Sequence, residues 1–228
     1  MKRSILLIVA MAMLALGSCA AEISRSANKK TVTRNVKTAP FTSISMYGSM
    51  DVHYTQGNTT KIKVQTDETT MKYLEVKSDG KKLVIKLKSP TWRMFGSGDI
   101  DIYITSPDLT GVSISGSGDF EAERRVDTDD MTISIAGSGD VDFNDLICNS
   151  VKTSIKGSGD VEIDRLNTAK AKFSIAGSGD ISVKNANIAY AKCSIAGSGD
   201  ISLRGKIKSL DEDVAGSGTV SINGDDDD

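Results

Sequence analysis

Histidine, cysteine and proline are scarce in this chain. Its 228 residues contain one histidine, three cysteines and three prolines. No Ser-His-acid set and no paired-cysteine zinc spacing can be assembled from them. The sequence also has no Gly-x-Ser-x-Gly elbow and no phosphate-loop pattern. It therefore carries no signature of nucleophilic catalysis, zinc binding or nucleotide binding, and we expect a protein that is not an enzyme.

Aromatic residues and excess charge are also in short supply. Aromatic residues make up 5% of the chain, and the formal net charge is −2. A nearly neutral chain has no strong electrostatic attraction for nucleic acid, so we expect no nucleic-acid partner. The 21 glycines and the few aromatic residues suit a narrow core of Ile, Val and Ala.

The one long apolar run lies at the N-terminus. It spans Ile5 to Leu16, after Lys2 and Arg3, and is too short to cross a bilayer comfortably. This pattern is typical of a secretory signal peptide. The run ends in Leu-Gly-Ser before Cys19, which resembles the lipobox of bacterial lipoproteins. The resemblance implies cleavage after residue 18 and acylation of Cys19, whereas an ordinary signal peptide with a chance cysteine is the alternative.

A repeated tetrapeptide, Gly-Ser-Gly-Asp, dominates the rest of the chain. Its six copies begin at Gly96, Gly116, Gly137, Gly157, Gly177 and Gly197. A seventh copy, from Gly216, ends in Thr219, and a looser copy, GSMD, begins at Gly48. From Gly96 onward the copies begin 19 to 21 residues apart. A period this regular predicts a repeat architecture.

Apolar and polar residues alternate on both sides of each glycine pair. In the copy at Gly177, for example, Ile175, Ile181 and Val183 alternate with polar or small residues. A period of two predicts short strands with one buried face, and glycine permits the corner between them. We therefore predict an all-β fold, a single parallel β-helix or solenoid of roughly eight 20-residue coils. The general preference for right-handed parallel crossovers makes it right-handed.

The predicted organisation has four parts. Residues 1–18 form the signal peptide, and the polar residues 19–37 form a flexible tether. Residues 38–224 form the solenoid, in which strands and a hairpin between the copies at Gly48 and Gly96 cap one end. The acidic tail, residues 225–228, keeps the other end solvated and hinders edge pairing.

Outward carboxylates are the one constellation that could carry chemistry. They occupy the third position after the first glycine (Asp99, Asp119, Asp140, Asp160, Asp180 and Asp200) and the fifth (Asp101, Glu121, Asp142 and Glu162). Neighbours about 4.8 Å apart repel by roughly 0.9 kcal/mol in water and about 3.5 kcal/mol at an effective dielectric of 20. Backbone N–H groups of each aspartate's own corner could offset this repulsion, and so could Ca²⁺. We favour turn capping over a Ca²⁺ site, and both over an acidic catalytic pair.

The remaining polar and aromatic candidates fit structural positions better than functional ones. Cys148 and Cys193 fall on different sides of the coil and about two coils apart, so we expect small core residues and no disulfide. His53 takes an outward position and is expected to be ordinary surface. Three aromatic residues are candidates for sugar stacking: Trp92, Tyr103 and Tyr190. Trp92 falls at an inward phase, which favours packing in the core or end cap.

Three stretches carry a resemblance to a known family. They are FTSISMYGSMDVHYTQG, LVIKLK followed by IDIYITSPDLTGVSISGSGD, and the later SIAGSGD copies. On these residues the chain from about Thr38 to Gly224 resembles the auto-transporter adhesin head GIN domain family, which is widespread in Bacteroidetes. The resemblance implies a β-solenoid-like domain on a secreted or lipid-anchored envelope protein. It brings no catalytic residues to this sequence.

The sequence thus predicts a lipid-anchored outer-membrane protein, facing the periplasm or the cell surface, whose repetitive surface binds or adheres. Expected partners are the membrane, through the lipid anchor, and a glycan or protein ligand. Two alternatives stay open: a β-helix that recognises or acts on polysaccharide, and a structural module that forms homo-oligomers. No cofactor is expected unless the aspartates hold Ca²⁺.

Overall fold

The computed structural model describes residues 30–88 and 99–224. The predicted signal peptide, Cys19, Trp92 and the acidic tail lie outside the described residues. One compact unit contains every described residue except Lys30. Of the described residues, 73% are in strands and 3% in a helix. Within the same residues, no helix is long and apolar enough to cross a membrane.

Fifteen strands and one short helix, α1 (Glu68–Tyr73), make up the described fold. The strands are β1 (Thr31–Val36), β2 (Ser43–Gly48), β3 (Asp51–Gln56), β4 (Lys61–Asp67), β5 (Leu74–Ser78), β6 (Lys82–Leu87), β7 (Asp101–Ser106), β8 (Gly111–Gly116), β9 (Phe120–Gly137), β10 (Val141–Gly157), β11 (Val161–Gly177), β12 (Ile181–Gly197), β13 (Ile201–Ile207), β14 (Leu210–Gly216) and β15 (Val220–Asn223). All belong to one sheet that winds around a central core.

The 20-residue coils stack in parallel, as the sequence predicts. In the registers of β10, β11 and β12, Ile155 lies beside Ile175, which in turn lies beside Ile195. The fold is a β-solenoid of about six turns, fewer than the eight predicted by counting copies. Within the described residues, the chain leaves the coil path in the insert between β3 and β7, where β4 and β5 pair antiparallel with their neighbours. The right-handed sense stays a prediction.

The stacking order at the N-terminal end differs from the chain order. Strand β3 lies between β7 and β9, although β7 follows β3 in the sequence. The insert covers this end, because β4 pairs antiparallel with β7 and the hairpin strand β5 pairs antiparallel with β6. The predicted cap is therefore confirmed.

The predicted flexible tether is too long at its C-terminal end. Thr31–Val36, inside the stretch expected to be unstructured, forms β1 and pairs antiparallel with β4. Its alternating Thr and Val residues suit a strand, and Val32 and Val36 pack partly against the core. The open edge of β4 supplies the hydrogen-bonding partner that the isolated segment lacks.

Rows of identical or similar side chains fill the core. Ile135, Ile155 and Ile175 are all buried. Phe120 and Phe143 belong to the same core, and the centroids of their two rings lie 5.6 Å apart. The sequence correctly places both later cysteines in this core. Cys148 and Cys193 are both buried and neither forms a disulfide, as expected of small apolar core residues.

The glycine corners bring the backbones of neighbouring coils into direct contact. Gly157, the first glycine of its copy, has a φ of 134°, which L side chains rarely adopt. A Cβ at Gly159, the second glycine, would lie 2.1 Å from the carbonyl oxygen of Gly139 in the preceding coil. Because that atom belongs to the backbone, it cannot move aside without separating the coils. Both glycines are therefore required by the stacking itself.

Gly159→Ala should destabilise the protein by about 1–3 kcal/mol, the usual range for overpacking a close contact. Gly224→Ala is the matched control, since a Cβ there would meet nothing within 4 Å. Chemical denaturation of both variants measures the difference. Equal stability of the two would contradict the required close contact.

Candidate functional site

The aspartates after the glycine corners form a hydrogen-bonded ladder. The N–H of Asp160 donates to Oδ1 of Asp140 at 2.8 Å, and the N–H of Asp180 donates to Oδ1 of Asp160 at 2.7 Å. The same bond joins Asp140 to Asp119 and Asp200 to Asp180. Each of these linking aspartates thus caps the corner of the next coil, whereas the hypothesis from the sequence is that each caps its own corner. The reason is that corner N–H groups point along the stacking axis.

The last described rung of the ladder joins Thr219 to Asp200. Thr219 takes the aspartate position in the last copy, and its N–H and hydroxyl both donate to Oδ1 of Asp200, at 2.7 and 2.8 Å. Thr219 is the single departure from Asp among the seven Gly-Ser-Gly copies, and no later glycine corner follows it among the described residues.

The first coils shift two predicted carboxylates out of place. In the register of β3 and β7, Asp101 lies opposite Asp51, so it extends the ladder row instead of joining Glu121 in the second row. Asp99 lies before β7 and is exposed. The prediction for Asp101 was wrong because β7 pairs two residues out of phase with the repeat, a shift that keeps each side chain on the same face.

Three carboxylates form the second row. Glu121, Asp142 and Glu162 occupy matching positions in β9, β10 and β11. Asp142 lies in the middle of them. Partial desolvation, followed by the negative charges of Glu162 and Asp140, raises the pKa of Asp142 to about 6. Asp142 is therefore crowded by like charges, while Glu162 in the same row pairs with Lys184.

His53 has more partners than a surface histidine was expected to have. Its Nδ1 lies 3.3 Å from Oε2 of Glu121, and its Nε2 lies 4.0 Å from Oδ1 of Asp101. The ring stacks on Tyr103, with centroids 4.9 Å apart. His53 therefore closes the acidic row at its N-terminal end.

The two described sugar-stacking candidates are partly committed to other contacts. Lys63 places its Nζ 4.0 Å from the Tyr103 ring centroid, and β7 lies between the strands of Lys63 and His53. Both faces of Tyr103 are therefore covered, which leaves no face for a sugar ring. Tyr190 is exposed, and its hydroxyl lies 3.5 Å from Oδ2 of Asp211.

The ladder geometry favours capping over metal binding. Oδ1 of each linking aspartate already accepts an N–H from the next coil, as at Asp140 and Asp160. Across residues 30–88 and 99–224, no group of three or more His, Cys, Asp or Glu side chains is placed to hold a metal ion. Each linking aspartate thus performs a structural task for which an acceptor oxygen is sufficient.

Asp160→Asn should leave stability nearly unchanged, because the amide oxygen can still accept the N–H of Asp180. Asp160→Ala should cost about 0.5–1.5 kcal/mol, the usual contribution of one hydrogen bond. Denaturation with and without Ca²⁺ compares the two variants. If the Asn variant were as unstable as the Ala variant, or if Ca²⁺ raised the stability of only the unmodified protein, the carboxylate charge would be the essential feature.

Asp142→Asn should stabilise the protein near neutral pH. The folded-state pKa of about 6 lies above the ordinary value of 3.8. Between these values the folded state binds more protons than the unfolded state, so the free energy of unfolding falls as the pH rises and stays lowered above pH 6. Melts should show a higher Tm for the variant at about pH 7.5 and little difference at about pH 3.5. An unchanged Tm at both pH values would contradict the crowding.

A polar groove on another side of the coils was not predicted. At its centre Asp145 is only 7% exposed, and its Oδ2 accepts from Nε of Arg125 at 2.9 Å. Nη2 of Arg165 lies 3.4 Å from the same oxygen. A buried carboxylate therefore holds two arginines side by side, while most of each arginine side chain remains exposed.

The groove occupies about 330 Å³ and crosses five coils. Its floor includes Leu166 and Ala186. Asn167 and Asn187 also line it, and Nδ2 of Asn187 donates a hydrogen bond to Oδ1 of Asn167 at 3.1 Å. Lys206 adds a third cation, against the single carboxylate among the lining residues. The groove therefore offers cationic and amide donors above a partly apolar floor.

Irregular spacing in the repeat is the signal that could have located this groove. The 21-residue interval between Gly116 and Gly137 places an extra residue in β9, and the register shifts between Phe143 and Asp145. The 19-residue interval after Gly197 produces a second shift on the same side, between Val183 and Ala186. The groove lies where the coils depart from their common path.

Comparison with solved structures finds the same fold in several bacterial proteins. A putative adhesin from Bacteroides fragilis is 23% identical, covers 86% of this chain and 98% of its own, and superposes with a TM-score of 0.67. A putative adhesin from Parabacteroides distasonis is 19% identical over 86% and 98% of the two chains, with a TM-score of 0.71. A putative lipid binding protein from the same species is 24% identical over 86% and 97%, with a TM-score of 0.63.

No curated protein sequence matches this chain. The family described as "Putative auto-transporter adhesin, head GIN domain" matches residues 40–225. This range includes β2 to β15 and every glycine corner, so it confirms the resemblance seen in the sequence. The chain belongs to the auto-transporter adhesin head GIN domain family.

Proposed function

We propose that this protein is a non-enzymatic binding module of the cell envelope, and that the polar groove holds an acidic polysaccharide. The observation that carries the proposal is the pair Arg125 and Arg165, fixed side by side by the buried carboxylate of Asp145. Because Asp145 already holds both guanidinium groups, the pair is pre-organised. Less side-chain freedom is therefore lost when a ligand binds.

The chemistry of the groove matches an anionic, hydroxyl-rich ligand. Guanidinium groups bind carboxylate or sulfate oxygens through paired N–H donors. The amides of Asn167 and Asn187 can both donate to and accept from hydroxyl groups. Ile147, which is partly exposed, provides an apolar surface against which the C–H face of a sugar ring can pack, above the buried apolar residues of the groove floor. Lys206 supplies a further positive charge at one end.

The shape of the groove favours a polymer over a compact ligand. Five coils are separated by four steps of about 4.8 Å, which gives a length of roughly 19 Å. Each of the five coils contributes lining residues along this length, from Arg125 to Lys206, so an extended chain can contact several coils in succession. A lipid tail would fit poorly, because the groove is open to solvent along its length whereas binding sites for apolar ligands are enclosed.

The envelope location rests on the family and on the N-terminal sequence. The family description names an adhesin head, which fits a protein that binds at the cell surface. The predicted acylation of Cys19 would fix the protein to a membrane. Among the described residues, the groove is lined by a single carboxylate, Asp145, and the raised pKa of Asp142 belongs to the acidic rows outside it, so the groove holds no acid–base pair, which favours binding over polysaccharide hydrolysis.

Arg165→Gln should weaken binding of polygalacturonate about tenfold or more, because a charge-assisted hydrogen bond contributes on the order of 1.5–3 kcal/mol. Arg124→Gln is the matched control: Arg124 neighbours Arg125 in sequence and is exposed, but it does not line the groove. Isothermal titration at fixed ionic strength measures both affinities, with neutral dextran as the second control.

Equal weakening by both substitutions would indicate general charge attraction and would contradict the groove as the site. Tight binding of dextran would contradict an acidic ligand. Equally tight binding of polyglutamate would show that the groove recognises charge without sugar hydroxyls. Acylation of Cys19 is tested separately, by the mass of the protein purified from membranes and that of Cys19→Ala.

A further inference from the structure

The last coil exposes side chains at positions that earlier coils bury. Val214 follows Ile195 in the parallel register, and Ile222 follows Leu203. Ile195 and Leu203 are 1% and 0% exposed, whereas Val214 and Ile222 are 41% and 38% exposed. Leu210 is likewise 36% exposed. The described core therefore ends in an open apolar cross-section.

The backbone at this end has one free edge. Among the described strands, β14 pairs only with β12, and β15 pairs only with β13. An unpaired edge beside exposed apolar side chains is a template for a further strand. The end therefore offers two components of a docking surface, namely unpaired backbone N–H and C=O groups and exposed apolar side chains on which a further strand can pack.

Acidic residues restrict what can dock there. Strand β14 carries Asp211, Glu212 and Asp213 in succession. Glu212 occupies the inward position that Cys193 fills, fully buried, in the preceding coil. An inward-pointing charge disfavours indiscriminate edge pairing, because a partner without a compensating cation would bury it alone. Two such ends facing each other would place acid against acid.

The N-terminal end of the compact unit has the opposite charge. Its edge strand β1 carries Arg34 between Lys30 and Lys37, and no acidic residue occurs from Lys30 to Met50. Arg34 lies opposite Val64, a fully buried residue of β4, so it occupies an inward position and yet is exposed. The two ends are therefore complementary in charge as well as in their exposed edges.

On the face that carries β1 and β15, the strand directions of the two ends also match, whereas on the face that carries β14 the edge strand β5 runs antiparallel to the coil strands. Strand β1 is antiparallel to β4, and β4 is antiparallel to β7, so β1 runs in the same direction as the coil strands. A second copy moved along the solenoid axis keeps that direction. Its β1 would therefore meet β15 of the first copy as a parallel neighbour, which is the pairing found between all the regular coils.

We infer that this protein associates head to tail, with the C-terminal end of one solenoid docking on the β1 end of a second copy. The contact is heterologous and does not close on itself, so it produces linear chains of solenoids. It buries only one coil cross-section, which makes the association weak and dependent on concentration. This interaction is separate from the polar groove, whose residues lie on the side of the coils.

Sedimentation velocity over a rising concentration series at low salt tests the inference. The purified protein should shift from monomer to dimer and longer species. Glu212→Arg and Arg34→Glu should each weaken self-association about tenfold, because each places like charges at the contact. An equimolar mixture of the two variants should restore association, since each then presents a charge opposite to the other's. Thermal melts of both variants verify that they are folded.

A protein that stays monomeric at every concentration would overturn the inference. Association that neither substitution weakens, or that the mixture fails to restore, would assign the contact to another surface and would equally overturn it. Arg165→Gln should leave self-association unchanged. Loss of polysaccharide binding and loss of self-association can therefore be told apart.

Discussion

Contact between glycine backbones in successive coils is the constraint on which the rest of this structure depends. At the corner, the carbonyl of one glycine lies so close to the next coil that a Cβ would overlap it, as at Gly159 above Gly139. The N–H of Ser158 donates to the carbonyl of Gly137 at 2.9 Å across the same contact. Stacking this close fixes the register of every coil, and the rows of core residues follow from that register.

The aspartate ladder is a consequence of the same contact. The carbonyl of Asp160 accepts the N–H of Val141, while its own N–H reaches the side chain of Asp140. A carboxylate thus takes the place of a backbone acceptor at the point where the chain turns. The carboxylates are held in a row by this requirement, and their mutual repulsion is offset one N–H at a time. The hydrogen bonds between coils are thus sufficient to explain the repeated aspartates, and no ligand is needed to account for them.

Function is then expected where the repetition fails. The regular faces present the same short side chains coil after coil, whereas the two departures from the 20-residue interval lie on one side and line the groove. There the bulge in β9 brings Arg125 to Asp145, and Arg165 joins them from the next coil. The open last coil is a second failure of repetition, since the core ends there at Val214 and Ile222.

The sequence by itself determined the solenoid, its glycine corners, the inward rows and the burial of Cys148 and Cys193, because a period of 20 with strict alternation leaves few other ways to bury one face. Only the tertiary structure decided what depends on neighbours distant in the chain. These features are the capping of each corner by the preceding coil's aspartate, the placement of β3 between β7 and β9, and the grouping of Arg125, Asp145 and Arg165. Each of these features depends on the register between neighbouring coils. A repeat pattern specifies the average coil, whereas shifts in register and changes in stacking order depart from that average.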